Sequence, residues 1–402
     1  MAQSALEEGS ALVLAGGQFP RRLNLSRREL PEIDARGAQF QWGVDFSGSI
    51  FHGPASFSRA VFRQEARFSE VTIRGNASFG NSACEGHFFM GGSRIHGDAD
   101  FTGAKVALRF MAPETTFVEL AIFRHAEIMG GAELPYCQFS SWADFRDVRI
   151  GYLALFNQST FQKLVDFGSA PALSNAQESC EWHLEATDFQ EGVSFENRCF
   201  SGVTNFRKAR FGRAPLFHGS SLHQDTDFGE AIFADVRSRG APRAYRTLKL
   251  AMENLRARNE EADFYALEQR SLRNQLDTPR TVKLLSWLYD ETSDYGRSFW
   301  RPAVWLAGVG ILAFLVYVQV AAVFPPEGGY SYGDLMELTV RQAIRPLDAW
   351  TRDGSAFARQ TVSNDSTGTA RAIRLVAALQ SVASLALVAL ALLAIRWRFR
   401  RG

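Results

Sequence analysis

Cysteine is scarce in this chain of 402 residues: four occur, and no two stand in a C-x-x-C pair. That spacing offers no thiolate metal site, and four lone thiols suit a reducing compartment. The histidines are scattered singly, so no cluster with metal-ligand spacing arises. Nucleophile elbows, glycine-rich phosphate loops and framed carboxylate pairs are missing too. No catalytic activity and no cofactor or metal is therefore expected. Charge of one sign is not in excess: 44 Lys and Arg face 43 Asp and Glu, a net of +1. The N-terminus begins acidic (Ala5-Leu-Glu-Glu8) and has no basic, apolar leader, so export of the segment that follows is not expected.

What is abundant is phenylalanine, 33 residues of it, and it falls on a beat. Steps of eleven from Phe46 meet Phe57, Phe68, Phe79, Met90, Phe101, Ala112, Phe123, Leu134, Phe145, Phe156 and Phe167. Steps of eleven from Phe51 meet Phe62, Ile73, Cys84, Ile95, Val106, Phe117, Ile128, Phe139, Ile150 and Phe161. The beat resumes at Phe189, Phe195, Phe200, Phe206, Phe211, Phe217, Leu222, Phe228 and Phe233. A period between five and six matches neither a helix nor a single strand. It matches a solenoid in which each short side sends one large residue inward. Two residues earlier the chain repeatedly offers something small, such as Ala55, Ala66, Ala77, Ala99 or Ala121. Strand alternation points both positions the same way, and the residues between are polar.

Segments such as Ala55-Ser-Phe-Ser-Arg-Ala-Val-Phe62 and Thr204-Asn-Phe-Arg-Lys-Ala-Arg-Phe211 resemble pentapeptide-repeat proteins of the phenylalanine-rich kind. The resemblance implies a right-handed parallel β-helix of square section, four repeats to a coil. Residues 46–233 would then make roughly eight coils and a rod of about 40 Å, at about 4.8 Å per strand. Some members of that family imitate DNA, which needs a strongly acidic rod. Residues 46–236 hold 22 acidic and 16 basic residues, a net of −6 interleaved with arginines, so neither DNA mimicry nor a nucleic-acid partner is expected. The beat fails at residues 168–183, rich in Pro, Ser, Asn and Gly. These residues are predicted to form a loop insertion, the best candidate for a specific contact. Cys84 and Cys137 fall at inward places, Cys199 beside one and Cys180 in the loop.

The predicted organisation is an N-terminal cap segment (1–37), the β-helix (38–236), and a helical linker and cap (237–300). A first transmembrane helix (301–324), a loop (325–374), a second transmembrane helix (375–396) and a basic tail (397–402) follow. Pro302 to Phe324 and Leu375 to Ile395 are long runs without a charged residue, and about 20 such residues span a bilayer. Arg297, Trp300 and Arg301 before the first span, and Arg396, Trp397, Arg398 and Arg400 after the second, read as interface anchors. The positive-inside rule then puts both termini in the cytoplasm and residues 325–374 outside. The stretch Ser293-Asp-Tyr-Gly-Arg-Ser-Phe-Trp-Arg-Pro302 with its two spans resembles a membrane module found on some bacterial pentapeptide-repeat proteins, which implies the bacterial inner membrane. Arg243, Arg246, Lys249, Arg256 and Arg258 form a basic helix suited to anionic lipid.

Two functions follow as expectations. One is a membrane-anchored scaffold displaying a cytoplasmic rod to an unknown protein partner. The other is an oligomeric, channel-like or transport-regulating protein. Gln319, Gln380, Ser381 and Ser384 are the polar residues within the spans, and Ala303/Ala307 and Ala377/Ser381 have small-xxx-small spacing that permits close helix approach or a homo-oligomer. No potassium filter is present: Gly328-Gly-Tyr-Ser-Tyr-Gly333 has suitable residue types but follows the first span directly. A helix predicted at Asp334–Ile344 leads to no such motif.

Overall fold

The computed structural model describes residues 11–170, 179–323, 331–344 and 368–401. The chain divides into two compact units, residues 1–271 and 272–402. In the first, two-residue strands stack into four parallel sheets with nine, seven, ten and ten strands. Successive turns pair residue by residue, Val61 with Ala83 and Phe62 with Cys84, for example. Each regular turn is thus four sides of five or six residues, and side-chain hydrogen bonds between neighbouring turns join positions 22 apart. This is a four-faced parallel β-solenoid of about ten turns.

The phenylalanines named above are buried, with Phe233 half-buried at the last turn. Met90, Ala112, Leu134, Ile73, Cys84 and Ile95 hold equivalent inward places. Rings stack from turn to turn, Phe79 on Phe101 at 4.8 Å and Phe101 on Phe123 at 4.7 Å, and meet edge-on across the interior. Each such ring contributes roughly 1.5–3 kcal/mol over exposure, before chain entropy is counted.

One inward column is polar. Ser49, Ser93, Thr115 and Ser159 each donate a hydroxyl hydrogen bond to a carbonyl of the turn before, at 2.7–2.8 Å. Thr187 does so at 2.9 Å. Small polar side chains are tolerated inside because each finds its partner. A second device repeats outside: Asp34, Asp45, Asp100, Asp144, Asp166, Asn205 and Asp227 each accept the backbone N–H two residues on, closing a corner.

Two sequence expectations need correction. The supposed cap segment 1–37 carries strands from Leu12 on, and Leu12 pairs with Ile33. The rod starts there because Leu25 and Leu30 fill inward places that phenylalanine fills later, while Leu12 and Ile33 stand in the column that then holds Ala55, Ala77 and Ala99. The loop insertion 168–183 is also too long. Cys180–His183 is a strand, paired with Tyr152–Leu155, with Cys180 and Trp182 buried. Residues 171–178 lie outside the described residues. Thr160 pairs with Asp188, and Lys163 Nζ donates to Glu191 Oε1 at 2.9 Å, a partner 28 positions on. This turn is therefore only six positions longer than its neighbours.

Helices α1 (Ala241–Asn254) and α2 (Arg258–Arg273) follow. Tyr245, Leu248 and Met252 of α1 and Phe264 of α2 join the solenoid core. Phe264 meets Phe228 and Phe233 edge-on, which keeps the last turn from exposing its interior. The second unit holds α3 (Arg280–Ser293), α4 (Trp300–Val323), α5 (Tyr332–Ile344) and α6 (Gly368–Arg401). Within α4 and α6, residues 300–323 and 375–396 are long and apolar enough to cross a membrane, each with mean hydropathy 2.3.

Candidate interaction surfaces

The enlarged turn creates the most unusual site in the rod. In five regular turns, the carbonyls of Ala38, Ala60, Ser82, Ala104 and Ala126 accept an N–H from the following turn: Val61, Ala83, Lys105, Glu127 and Arg149. Among the described residues, the sheet made by these strands has Arg149–Ile150 as its last strand, just before the enlarged turn. The next carbonyl, Val148, is met by a side chain. Arg198, fully buried, donates from Nη1 to Val148 O at 2.9 Å and from Nε to Phe167 O at 2.7 Å. Its Nη2 lies 3.4 Å from the carbonyls of Phe145 and Gly168. The guanidinium also lies over the Trp182 ring at 5.4 Å. Backbone pairing resumes one turn later, where Arg198 O accepts from Ser221 N. Arg198 thus bridges the turn that carries the insertion. Burial pushes its pKa down to about 10, as expected for a cation held by neutral carbonyls.

Beside this corner runs an ion network. Asp144, 1% exposed, accepts from Arg124 at 2.6 Å and Arg146 at 2.7 Å. Arg146 also approaches Asp166 at 3.7 Å and lies over Trp142. Burial raises the Asp144 pKa despite the guanidiniums. Asp147 accepts from Ala170 N at 2.6 Å, tying the start of the insertion to the previous turn. Two open clefts lie elsewhere on the first unit. One of ≈570 Å³ holds exposed Trp42 beside Arg22, Arg63 and Arg67; these guanidiniums already pair with Asp45, Glu85 and Glu65. The other, ≈700 Å³, lies between residues 217–222 and α1. Among the described residues no group of three His, Cys, Asp or Glu is placed to hold a metal.

The basic helix read as a lipid contact is largely engaged. Arg246 and Lys249 both pair with buried Glu268, at 2.7 and 2.8 Å, and Arg258 with Glu261 at 3.7 Å. Arg243 and Arg256 are exposed.

In the second unit, α5 packs against α4 and α6. Leu335 and Leu338 of α5 bury against Ala313, Tyr317 and Ala321 of α4 and Ala377 of α6. Tyr317 donates to Gln380 Oε1 at 2.9 Å, and Gln380 Nε2 donates to Thr339 O at 3.0 Å. Ser381 Oγ lies 2.6 Å from Gln342 Oε1. Gln380 and Ser381 therefore join helices, while Gln319 stays exposed. Ala377 and Ser381 are buried, whereas Ala303 and Ala307 face outward. The segment 325–374 is thus not all loop, because α5 fills the space beside both long helices. Gly328, Gly329 and Tyr330 lie outside the described residues. Of the anchors, Arg297, Trp300, Arg301 and Arg396 are exposed. The side chains of Trp397, Arg398 and Arg400 lie outside the described residues.

The sequence missed Arg198 and the packing of α5 on α4 and α6, though it did predict a helix at Asp334–Ile344. The signal for Arg198 was an arginine two residues before Phe200, at a place held elsewhere by Ala or Ser, next to the one break in the beat.

A family model for pentapeptide repeats (9 copies) matches residues 35–83. No curated protein and no solved structure matches the chain. The match covers only part of the rod, but the recurring four-sided turn, the stacked inward rings and the four parallel faces continue from Leu12 to Phe233. Residues 35–83 thus match the pentapeptide repeats, within a β-solenoid that runs from Leu12 to Phe233 and is followed by two helices of membrane-spanning length.

Proposed function

We propose that the chain is a membrane-anchored scaffold, displaying its β-helical rod at the cytoplasmic face of a bacterial inner membrane for protein–protein interaction. The observation that carries this reading is how side chains are used along the chain. The inward residues of the rod are consumed by its own core, and its faces are mostly polar and charged, with single apolar residues such as Trp42, Leu108 and Leu164 exposed among them. In α4 and α6, by contrast, the apolar side chains of Val304, Ile311, Leu312, Leu385 and Leu392 are exposed. Lipid is the solvent in which such helices are stable. Arg297, Arg301, Arg396, Arg398 and Arg400 favour cytoplasmic termini. A partner contacts the enlarged turn, where the chain departs from the repeat and the Arg124–Asp144–Arg146 network gives a charged, specific surface. No catalytic role is assigned.

A second reading, a channel-like or transport-regulating oligomer, is favoured by α5 seated between the two long helices. The two separate in one experiment. The full chain and a variant lacking residues 172–177, which returns the enlarged turn to the regular length, are cross-linked in native membranes, affinity-purified and reconstituted. Silent liposomes, with a cytosolic protein captured by the full chain and lost from the variant, support the scaffold. Ion flux supports the second reading, and silence with no captured protein contradicts both.

A further inference from the structure

Helix α3 is amphipathic in the wrong sense for water. Leu284, Leu285, Trp287 and Leu288 fall within an arc of about 160° at 3.6 residues per turn, and are 57%, 66%, 47% and 42% exposed. The opposite side is polar and held inward. Asp290 pairs with Arg273 at 2.9 Å and its carbonyl accepts from Arg301 at 3.2 Å. Ser286 Oγ lies 2.7 Å from the Tyr295 hydroxyl, and Ser293 is fully buried. These bonds fix the roll of the helix, so the leucine stripe cannot turn inward. A contiguous apolar face of this kind marks a surface that meets something other than water.

We propose that the outward face of α3 lies in the headgroup–acyl boundary of the bilayer, as an interfacial helix that fixes the entry of α4. This rests on the membrane reading of α4 and α6. Three observations choose lipid over protein. α3 packs directly on α4 and α6, and its stripe is followed by Trp300, Val304 and Trp305, also exposed, on a helix of spanning length. The stripe carries a tryptophan, the residue favoured at that depth. Charge stands at its two ends, Arg280 and Glu291, with Lys283 on its flank, where side chains can reach headgroups.

The test uses the full chain, with Cys199→Ser to remove the one thiol that is not buried. Nitroxide labels are placed at Leu285→Cys and Leu288→Cys, with Leu312→Cys in α4 as lipid reference and Gln162→Cys on the rod as water reference. The protein is held in nanodiscs of phosphatidylcholine and phosphatidylglycerol. The expected result is an oxygen-to-nickel accessibility ratio at 285 and 288 several-fold above that at 162 and approaching that at 312. Water-like values at 285 and 288 with a lipid-like value at 312 overturn the interfacial helix while leaving the membrane reading intact. Low accessibility to both reagents at 285 and 288 means that protein, a second copy or a partner, covers the stripe, and also overturns it. A water-like value at 312 sinks the membrane reading itself.

Discussion

Replacing Arg198 with alanine tests whether its side chain holds the carbonyls of the enlarged turn. The loss has two parts. The Val148 and Phe167 carbonyls, at 2.9 and 2.7 Å, are left buried without these donors, at about 1–3 kcal/mol each. Two methylenes of the stem, Cγ and Cδ, also leave the core, about 0.8 kcal/mol apiece. Against this, the variant no longer buries a charge. The fall of the pKa from 12.5 to about 10 puts that relief at about 3 kcal/mol, from about 1.4 kcal/mol per pH unit. The donors and the stem outweigh this, leaving a net destabilisation of about 0–4 kcal/mol, near 2 at mid-range. Because a solenoid opens locally, the effect belongs to the turns around residues 145–200. Native-state hydrogen exchange is the assay. Protection at the Val148, Phe167 and Ser169 amides is expected to fall tenfold or more, at about 1.4 kcal/mol per decade, with Phe57 and Phe68 unchanged. Protection at Val148 and Phe167 within twofold of the parent would refute the bridging role.

Phe101→Ala removes a ring stacked between Phe79 and Phe123 and is expected to cost about 3–5 kcal/mol, with proteolytic nicking confined to neighbouring turns; a parent-like digestion pattern would mean the ring is not core. The buried thiols give a pH dependence. Burial pushes Cys84 up to about 11 and Cys137 and Cys180 up to about 12, from 9.0. Above pH 9 the unfolded chain therefore loses thiol protons that the folded rod keeps. Stability is expected to fall as pH rises from about 9 towards these values, by up to about 1.4 kcal/mol per pH unit for each thiol. The triple Cys→Ala variant should show a shallower alkaline loss in denaturant titrations, and an unchanged slope would contradict the burial of these groups.

The rod was legible because its period is carried by large side chains in nearly every slot, and an inward ladder leaves little freedom of register. Its beginning was missed because Leu25 and Leu30 do the same work without phenylalanine, because Leu12 and Ile33 are large where later turns carry alanine, and because the pairing of Leu12 with Ile33 is one position short of the regular spacing. The insertion was overdrawn because Trp182 fills an inward place in a strand whose neighbours looked like loop. Helices long and apolar enough to cross a membrane are readable from length and apolar content alone. The seat of α5 between α4 and α6 was not, since the apolar face of an amphipathic helix does not name its neighbour. The stripe of α3 was visible in Leu284, Leu285 and Leu288, yet its outward direction depends on tertiary bonds from Asp290 and Ser286.

The central claim is a rod held to a membrane from the cytoplasmic side, and impermeant maleimide labelling of the Cys199→Ser, Gln162→Cys chain addresses it directly, in intact and opened cells, with an alkaline carbonate wash of the membranes. The expected result is a chain that stays in the washed membrane pellet and is labelled at residue 162 only after the cells are opened. Release into the carbonate wash, or equal labelling in intact cells, would contradict it.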